Sequence, residues 1–174
     1  MDRRRFFAVA GSALLWPAVR SAAQEPSEPA PKPIDAKLRK ALETSEFVYV
    51  SPLRSDGEES HCHGEVWFGF IDGAVVLITS TQSWKVRSLV RGRNRARVWV
   101  GSYGRWKRLV GFNESFREAP SFEAEARFVR DDALLEKLLE IYDRKYPNEI
   151  SRWRKRMRDE YLAGTRVIIR YTPV

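Results

Sequence analysis

Residues 79–100, TSTQSWKVRSLVRGRNRARVWV, decide the reading of the fold. An apolar run, Ala74 to Ile78, leads into the hydroxyl-rich turn of Thr79, Ser80, Thr81 and Ser83. A short basic helix follows, Trp84 to Arg91, with Ser83 placed to cap it and Val86, Leu89 and Val90 as its inner face. Gly92 and Asn94 end that helix, and a second β-rich run opens at Ala96. Backbone N–H groups, hydroxyls, and Lys85 with Arg87 therefore converge near one helix start. Oriented donors and fixed cations are what an anionic phosphate requires. Arg91, Arg93, Arg95 and Arg97 extend the charge and read mainly as a solvated basic face.

Working outward, Asp35 caps a helix from Ala36 to about Ser45, and Phe47 to Val50 is β-rich up to Pro52. Gly64 to Ile71 reads as one strand, alternating Val66, Phe68 and Phe70 against Glu65, Trp67 and Gly69. Asp72-Gly73 is a hairpin signal that makes Ala74 to Ile78 its partner strand. Downstream, Ala96 to Tyr103 and Arg105 to Phe112 read as two strands around Gly104, and Phe122 to Arg130 as a third. A helix begins at Asp131 or Asp132, a second at Pro147, and Thr165 to Thr172 closes as a strand after Gly164. The expected fold is mainly β: a six- to seven-stranded antiparallel Greek-key split barrel with peripheral α-helices, which also hides sheet edges.

The two ends of the chain carry different information. Residues 1–23 combine Arg3, Arg4 and Arg5, an apolar run from Ala8 to Val19 and small residues at Ser21-Ala22-Ala23. That is the pattern of an export signal, and paired arginines before Phe6 and Phe7 resemble a twin-arginine signal. Residues 24–33, QEPSEPAPKP, read as a tether, which leaves residues 34–174 for one domain. The expected location is outside the cytoplasm, periplasmic or extracellular, with no transmembrane segment in the mature chain. The whole chain carries a net +8; removal of residues 1–23 takes away four Arg and one Asp and leaves 27 basic against 22 acidic residues. Such an excess suits an anionic ligand, and export argues against nucleic acid as the partner. A single cysteine, Cys62, excludes an intrachain disulfide.

With these elements assembled, Ser83-x-Lys85 after a Thr-ended strand, and Arg97-Val98 in the next, resemble the pyridoxamine 5′-phosphate oxidase-like superfamily of FMN-binding split barrels. The resemblance runs from Phe47 to Pro173 and takes in Lys145-Tyr146-Pro147 and the closing strand. It implies that Thr79, Ser83 and Lys85 hold a flavin phosphate, with Ser80, Thr81 and Arg87 as neighbours. It also implies a homodimer with the cofactor between two subunits and a small-molecule substrate. The chain departs from the oxidases at Trp84, at Arg95, in the absence of a basic residue between Val66 and Ile78, and in its Ile169-Arg170-Tyr171-Thr172-Pro173 end. Pyridoxamine phosphate oxidation is therefore not the expected reaction. FMN leads as the cofactor, with deazaflavin, haem and no cofactor as alternatives.

Trp67, Trp84, Trp99 and Trp106 sit on or beside the expected strands, where Trp67 or Trp84 could line a flavin ring and core packing is the competing role. His61-Cys62-His63 has a spacing that two metal or haem ligands could share on a strand face, but no third metal ligand stands nearby. No nucleophilic triad, paired carboxylate or Gly-rich nucleotide motif is present. The sequence reading is thus an exported FMN- or deazaflavin-dependent oxidoreductase. A haem- or flavin-sequestering module and a cofactor-free barrel working through protein contacts are its rivals.

Overall fold

The computed structural model describes residues 32–106 and 111–174. The expected export signal (residues 1–23) and residues 24–31 of the expected tether lie outside the described residues. In chain order the elements are α1 (Ala36–Thr44), β1 (Phe47–Pro52), β2 (Gly64–Trp67), β3 (Gly69–Ile71), β4 (Ala74–Ser80) and α2 (Trp84–Val90). β5 (Arg95–Val100), a 3-10 turn (Ser115–Glu118), β6 (Ser121–Val129), α3 (Asp132–Lys145), α4 (Pro147–Leu162) and β7 (Arg166–Pro173) complete the chain. Asp35 accepts the Leu38 N–H at 2.7 Å and so starts α1, as its residue type dictates.

All seven strands form one antiparallel sheet in the order β2-β1-β5-β6-β7-β4-β3. Its two edges, β2 and β3, are consecutive in the chain with only Phe68 between them. The sheet therefore rolls until its edges meet, which makes a nearly closed split barrel and leaves little exposed edge.

This corrects the single strand expected over Gly64 to Ile71. The alternation of faces is as expected: Val66, Phe68 and Phe70 join the interior cluster, Trp67 and Ile71 the outer one. The pairing is not, because β2 pairs with β1 and β3 with β4. At the break, the Phe68 N–H donates to the Tyr146 hydroxyl at 3.1 Å instead of to a strand. The Asp72-Gly73 hairpin forms as expected, both residues having positive φ (48° and 75°).

The strand expected over Ala96 to Tyr103 is also revised, whereas the centre of the one expected over Arg105 to Phe112 lies outside the described residues. β5 stops at Val100; residues 101–106, 111 and 112 belong to none of the seven strands, and residues 107–110 lie outside the described residues. A side chain explains the departure. The Tyr49 hydroxyl accepts the Tyr103 N–H at 3.0 Å and donates to the Gly104 carbonyl at 2.8 Å, taking groups a ladder would use. Gly104 turns the chain there with φ 79°.

Two apolar clusters follow from the period-2 strands. Inside the barrel are Val48, Val50, Phe68, Val75, Leu77, Val98, Val100, Ala124 and Ile169, with Leu38 and Leu42 of α1 and Val86 of α2 packed against them. On the outer face, Ile71, Val76, Ile78 and Ile168 meet Leu134, Leu135, Leu138, Leu139 and Tyr142 of α3, and Ile150, Met157 and Tyr161 of α4. Among the described residues no helix is long and apolar enough to cross a membrane.

Candidate functional site

The turn between β4 and α2 is built from its own hydroxyls. Ser83 adopts extended backbone and its hydroxyl accepts the Val86 N–H at 3.4 Å, which caps α2. The Ser80 hydroxyl accepts the Gln82 N–H at 3.2 Å, and Thr81 donates its proton to the Thr165 carbonyl at 3.1 Å. Ser80 and Ser83 thus serve as acceptors and keep their own protons for a further partner. Thr79 continues the inward face of Val75 and Leu77 and is nearly buried, whereas Ser80 points to the opposite face and is exposed.

Lys85 is the unusual group. It is only 8% exposed, and among the described residues its ammonium makes no hydrogen bond or ion pair. Its contact is with an aromatic face: Nζ stands 4.6 Å from the Trp84 ring centroid. Burial pushes its pKa down from 10.5 to about 8. A largely desolvated ammonium without a counter-charge is costly, so an anion that reaches it would be stabilised.

Arg87 is not brought to the same place. Two residues along a helix turns the side chain by about 200°. Arg87 is exposed and folds back to donate to the Gln82 carbonyl at 2.9 Å. The expected convergence of Lys85 and Arg87 is therefore corrected: they occupy different sides of α2.

The aromatic candidates also separate. Trp84 packs over the start of β2, where a Cβ at Gly64 would lie 2.8 Å from its ring; only glycine leaves that space. Trp67 points to the other face of the same strand, stacked on Tyr146 (4.4 Å, 9°) and edge-on to Tyr142. With Trp153, Met157 and Arg166 it lines an apolar groove of about 250 Å³ on the helix-covered side. Trp99 packs edge-on against Phe116, and Trp106 stacks on Phe112 at 4.6 Å.

His61 and His63 do not share a strand face. His61 is exposed; His63 is buried, with Nδ1 2.5 Å from the Ser51 hydroxyl and Nε2 3.3 Å from Arg117. A guanidinium only donates, so Nε2 is the acceptor and the proton sits on Nδ1, directed at Ser51. Burial first, then Arg117, lowers the pKa of His63 and keeps it neutral. Arg117 is itself tied to Glu59 at 2.9 Å and Glu114 at 2.5 Å. Both ring nitrogens of His63 are thus engaged, and among the described residues no group of three or more His, Cys, Asp or Glu is arranged to hold a metal ion. This network was invisible in the sequence because its members stand 12 and 54 residues apart. Lys145 was likewise missed as a titrating group: its Nζ lies 3.3 Å from the Phe68 ring centroid, and burial lowers its pKa to about 7.

No protein-family model matches the chain, and no curated protein matches it in sequence. Solved structures do. The fold is similar to a conserved hypothetical protein, Rv2991, from Mycobacterium tuberculosis, at 17% identity and TM-score 0.52 over 86% of each chain. It is similar to HutZ, the haem storage protein of Vibrio cholerae, at 8% identity and TM-score 0.51 over 79% of this chain and 87% of HutZ. It is also similar to Campylobacter jejuni ChuZ, at 12% identity and TM-score 0.51, over 78% of this chain and 51% of ChuZ. The likeness is one of fold. The split barrel that the superfamily resemblance implied is the fold of this chain.

Proposed function

We propose that this protein is an exported oxidoreductase that carries FMN, or a deazaflavin, and acts on a small molecule as a homodimer. The observation that carries the reading is Lys85: a largely buried side chain whose ammonium has no counter-charge, directly after a turn whose Ser83 hydroxyl retains its proton. A phosphate monoester would supply the missing negative charge and accept from the Ser83 hydroxyl. Thr79, at the inward end of β4, lies on the side that α2 closes, and Thr81 holds the turn to Thr165. Trp84 offers the aromatic wall beside the ammonium. When bound, a flavin supplies hydride-transfer chemistry, and the protein's part is to hold and orient it and to exclude water. Lys85 neutralises the phosphate, and the Ser83 hydroxyl fixes its direction.

A visible spectrum of the purified full-length protein, before and after reconstitution with FMN, a deazaflavin or haem, tests the reading. A flavin or deazaflavin band that survives gel filtration is expected. A Soret band alone, or a protein that stays colourless after every reconstitution, overturns it.

Export rests on residues 1–23. Lysines in place of Arg4 and Arg5 should leave the protein in the cytoplasm of a bacterial host, as cell fractionation would reveal. Undiminished export of that variant points instead to an ordinary secretory signal.

A further inference from the structure

The C-terminal end of α2 places three arginines where the hydroxyl turn does not use them. Gly92 follows the helix with φ 79°. Its N–H donates to the Leu89 carbonyl at 2.9 Å, while the Arg93 N–H donates to the Ser88 carbonyl at 3.1 Å. This is the Schellman ending, and only the left-handed glycine allows it cheaply. Because the chain doubles back there, Arg91 and Arg93 flank the same space, one turn beyond Arg87 and Ser88.

That space is a cavity of about 140 Å³ lined by Trp84, Arg87, Ser88, Arg91 and Arg93 on one wall and by Pro52, Ser60 and Cys62 on the other. It adjoins a wider basin of about 500 Å³ that shares Arg91 and Arg93 and adds Arg54, Ser55, Asn94 and Arg95. The charges divide into two groups. Arg54 is paired with Asp56 at 3.1 Å, and Arg95 with Glu123 at 2.7 Å. Arg87 has a carbonyl as its side-chain partner, and among the described residues Arg91 and Arg93 pair with no carboxylate. The Ser88 hydroxyl, also in the cavity wall, is shielded from water and has no hydrogen-bond partner. A cavity lined by three guanidinium groups without a carboxylate partner is complementary to a compact polyanion.

We propose that this cavity is a second anion site, separate from Lys85, that takes the phosphate or pyrophosphate group of a phosphorylated small molecule. Arg87, Arg91 and Arg93 hold the charge, and the basin admits the rest of the ligand. Trp84 belongs to both places: it lines this cavity and lies under the Lys85 ammonium. The site does not depend on the flavin reading, since none of its cations is Lys85.

Cys62 supplies a reporter, being exposed, in the cavity wall and the one cysteine of the chain. The test is the rate at which the uncharged reagent N-ethylmaleimide labels Cys62 in the full-length protein. It is measured with millimolar inorganic phosphate or pyrophosphate and with sodium chloride of equal ionic strength. Pyrophosphate is expected to slow labelling at least fivefold, and phosphate less. The double variant R91Q/R93Q, altered only at exposed positions, should lose this protection with an unchanged melting temperature. Lys85→Met should keep it, which separates this site from the flavin reading. Equal labelling in pyrophosphate and chloride, or equal protection in R91Q/R93Q, overturns the proposal and leaves the arginines as cations that complement the helix C-terminus.

Discussion

Phe68→Ala should lower the stability of the domain by about 3–5 kcal/mol, the usual cost of emptying a buried phenylalanine site. The residue is 0% exposed and is the whole connection between the two edges of the sheet. Its ring fills the barrel interior and carries the Lys145 ammonium on one face. Its N–H is held by Tyr146, whose hydroxyl in turn donates to the Glu46 carbonyl at 2.5 Å. Tyr146→Phe removes only that hydroxyl and should cost about 1–3 kcal/mol. The two substitutions share one contact, so their effects should not add. Against a total of roughly 5–15 kcal/mol, the Phe68 loss is a large share. It should appear as a melting temperature lower by roughly 10–20 °C. Urea unfolding of both variants checks this, and a Phe68→Ala midpoint close to that of the parent contradicts the closure described for the barrel.

The ligand-free protein should become more stable when Lys85 is replaced by Met. A fall in pKa from 10.5 to about 8, caused by burial, corresponds to roughly 3 kcal/mol between the charged and neutral forms. The sign follows from linkage. The folded pKa lies below the unfolded one, so between pH 8 and 10.5 the folded state binds fewer protons and stability rises with pH. The full cost is present below pH 8. Lys145, lowered to about 7, adds a slope of the same sign from pH 7 upward, so the difference between parent and variant isolates Lys85. Lys85→Met should therefore gain about 1–3 kcal/mol at pH 7 and almost nothing near pH 10.5. Urea melts at the two pH values decide it. A variant less stable than the parent at pH 7 means that the ammonium has a compensating partner, and the case for a bound anion at Lys85 fails.

Where the sequence reading succeeded, local chemistry was decisive. Asp35 and Ser83 cap their helices, Asp72-Gly73 makes its hairpin, and period-2 alternation sorted Val66 from Trp67 correctly. Where it failed, a distant group intervened. Tyr146 takes the N–H at the break after Trp67, 78 residues away in sequence, and Tyr49 captures Tyr103 and Gly104 from 54 and 55 residues away. No pattern within a strand announces such bonds. At the site, residue types suggested an anion, but their convergence was overstated. Helical rotation sends Lys85 inward and Arg87 outward, and strand alternation parts Thr79 from Ser80. The Arg91–Gly92–Arg93 turn was legible as a helix end, yet the wall opposite it comes from Pro52, Ser60 and Cys62, which only the fold brings near.

The central claim is that Lys85 holds the phosphate of a flavin-type cofactor, and the most direct measurement is an equilibrium titration of FMN into the full-length protein and its Lys85→Met variant from pH 7 to 10. Anion binding that needs the charged ammonium is at full strength below pH 8 and weakens as the pH rises through 8. The parent should therefore bind FMN most tightly at pH 7 and lose affinity by about tenfold per pH unit above 8. The variant should bind at least tenfold more weakly at pH 7 and show no such dependence. Equal affinity in the two proteins, or no FMN binding by the parent at any pH, would contradict it.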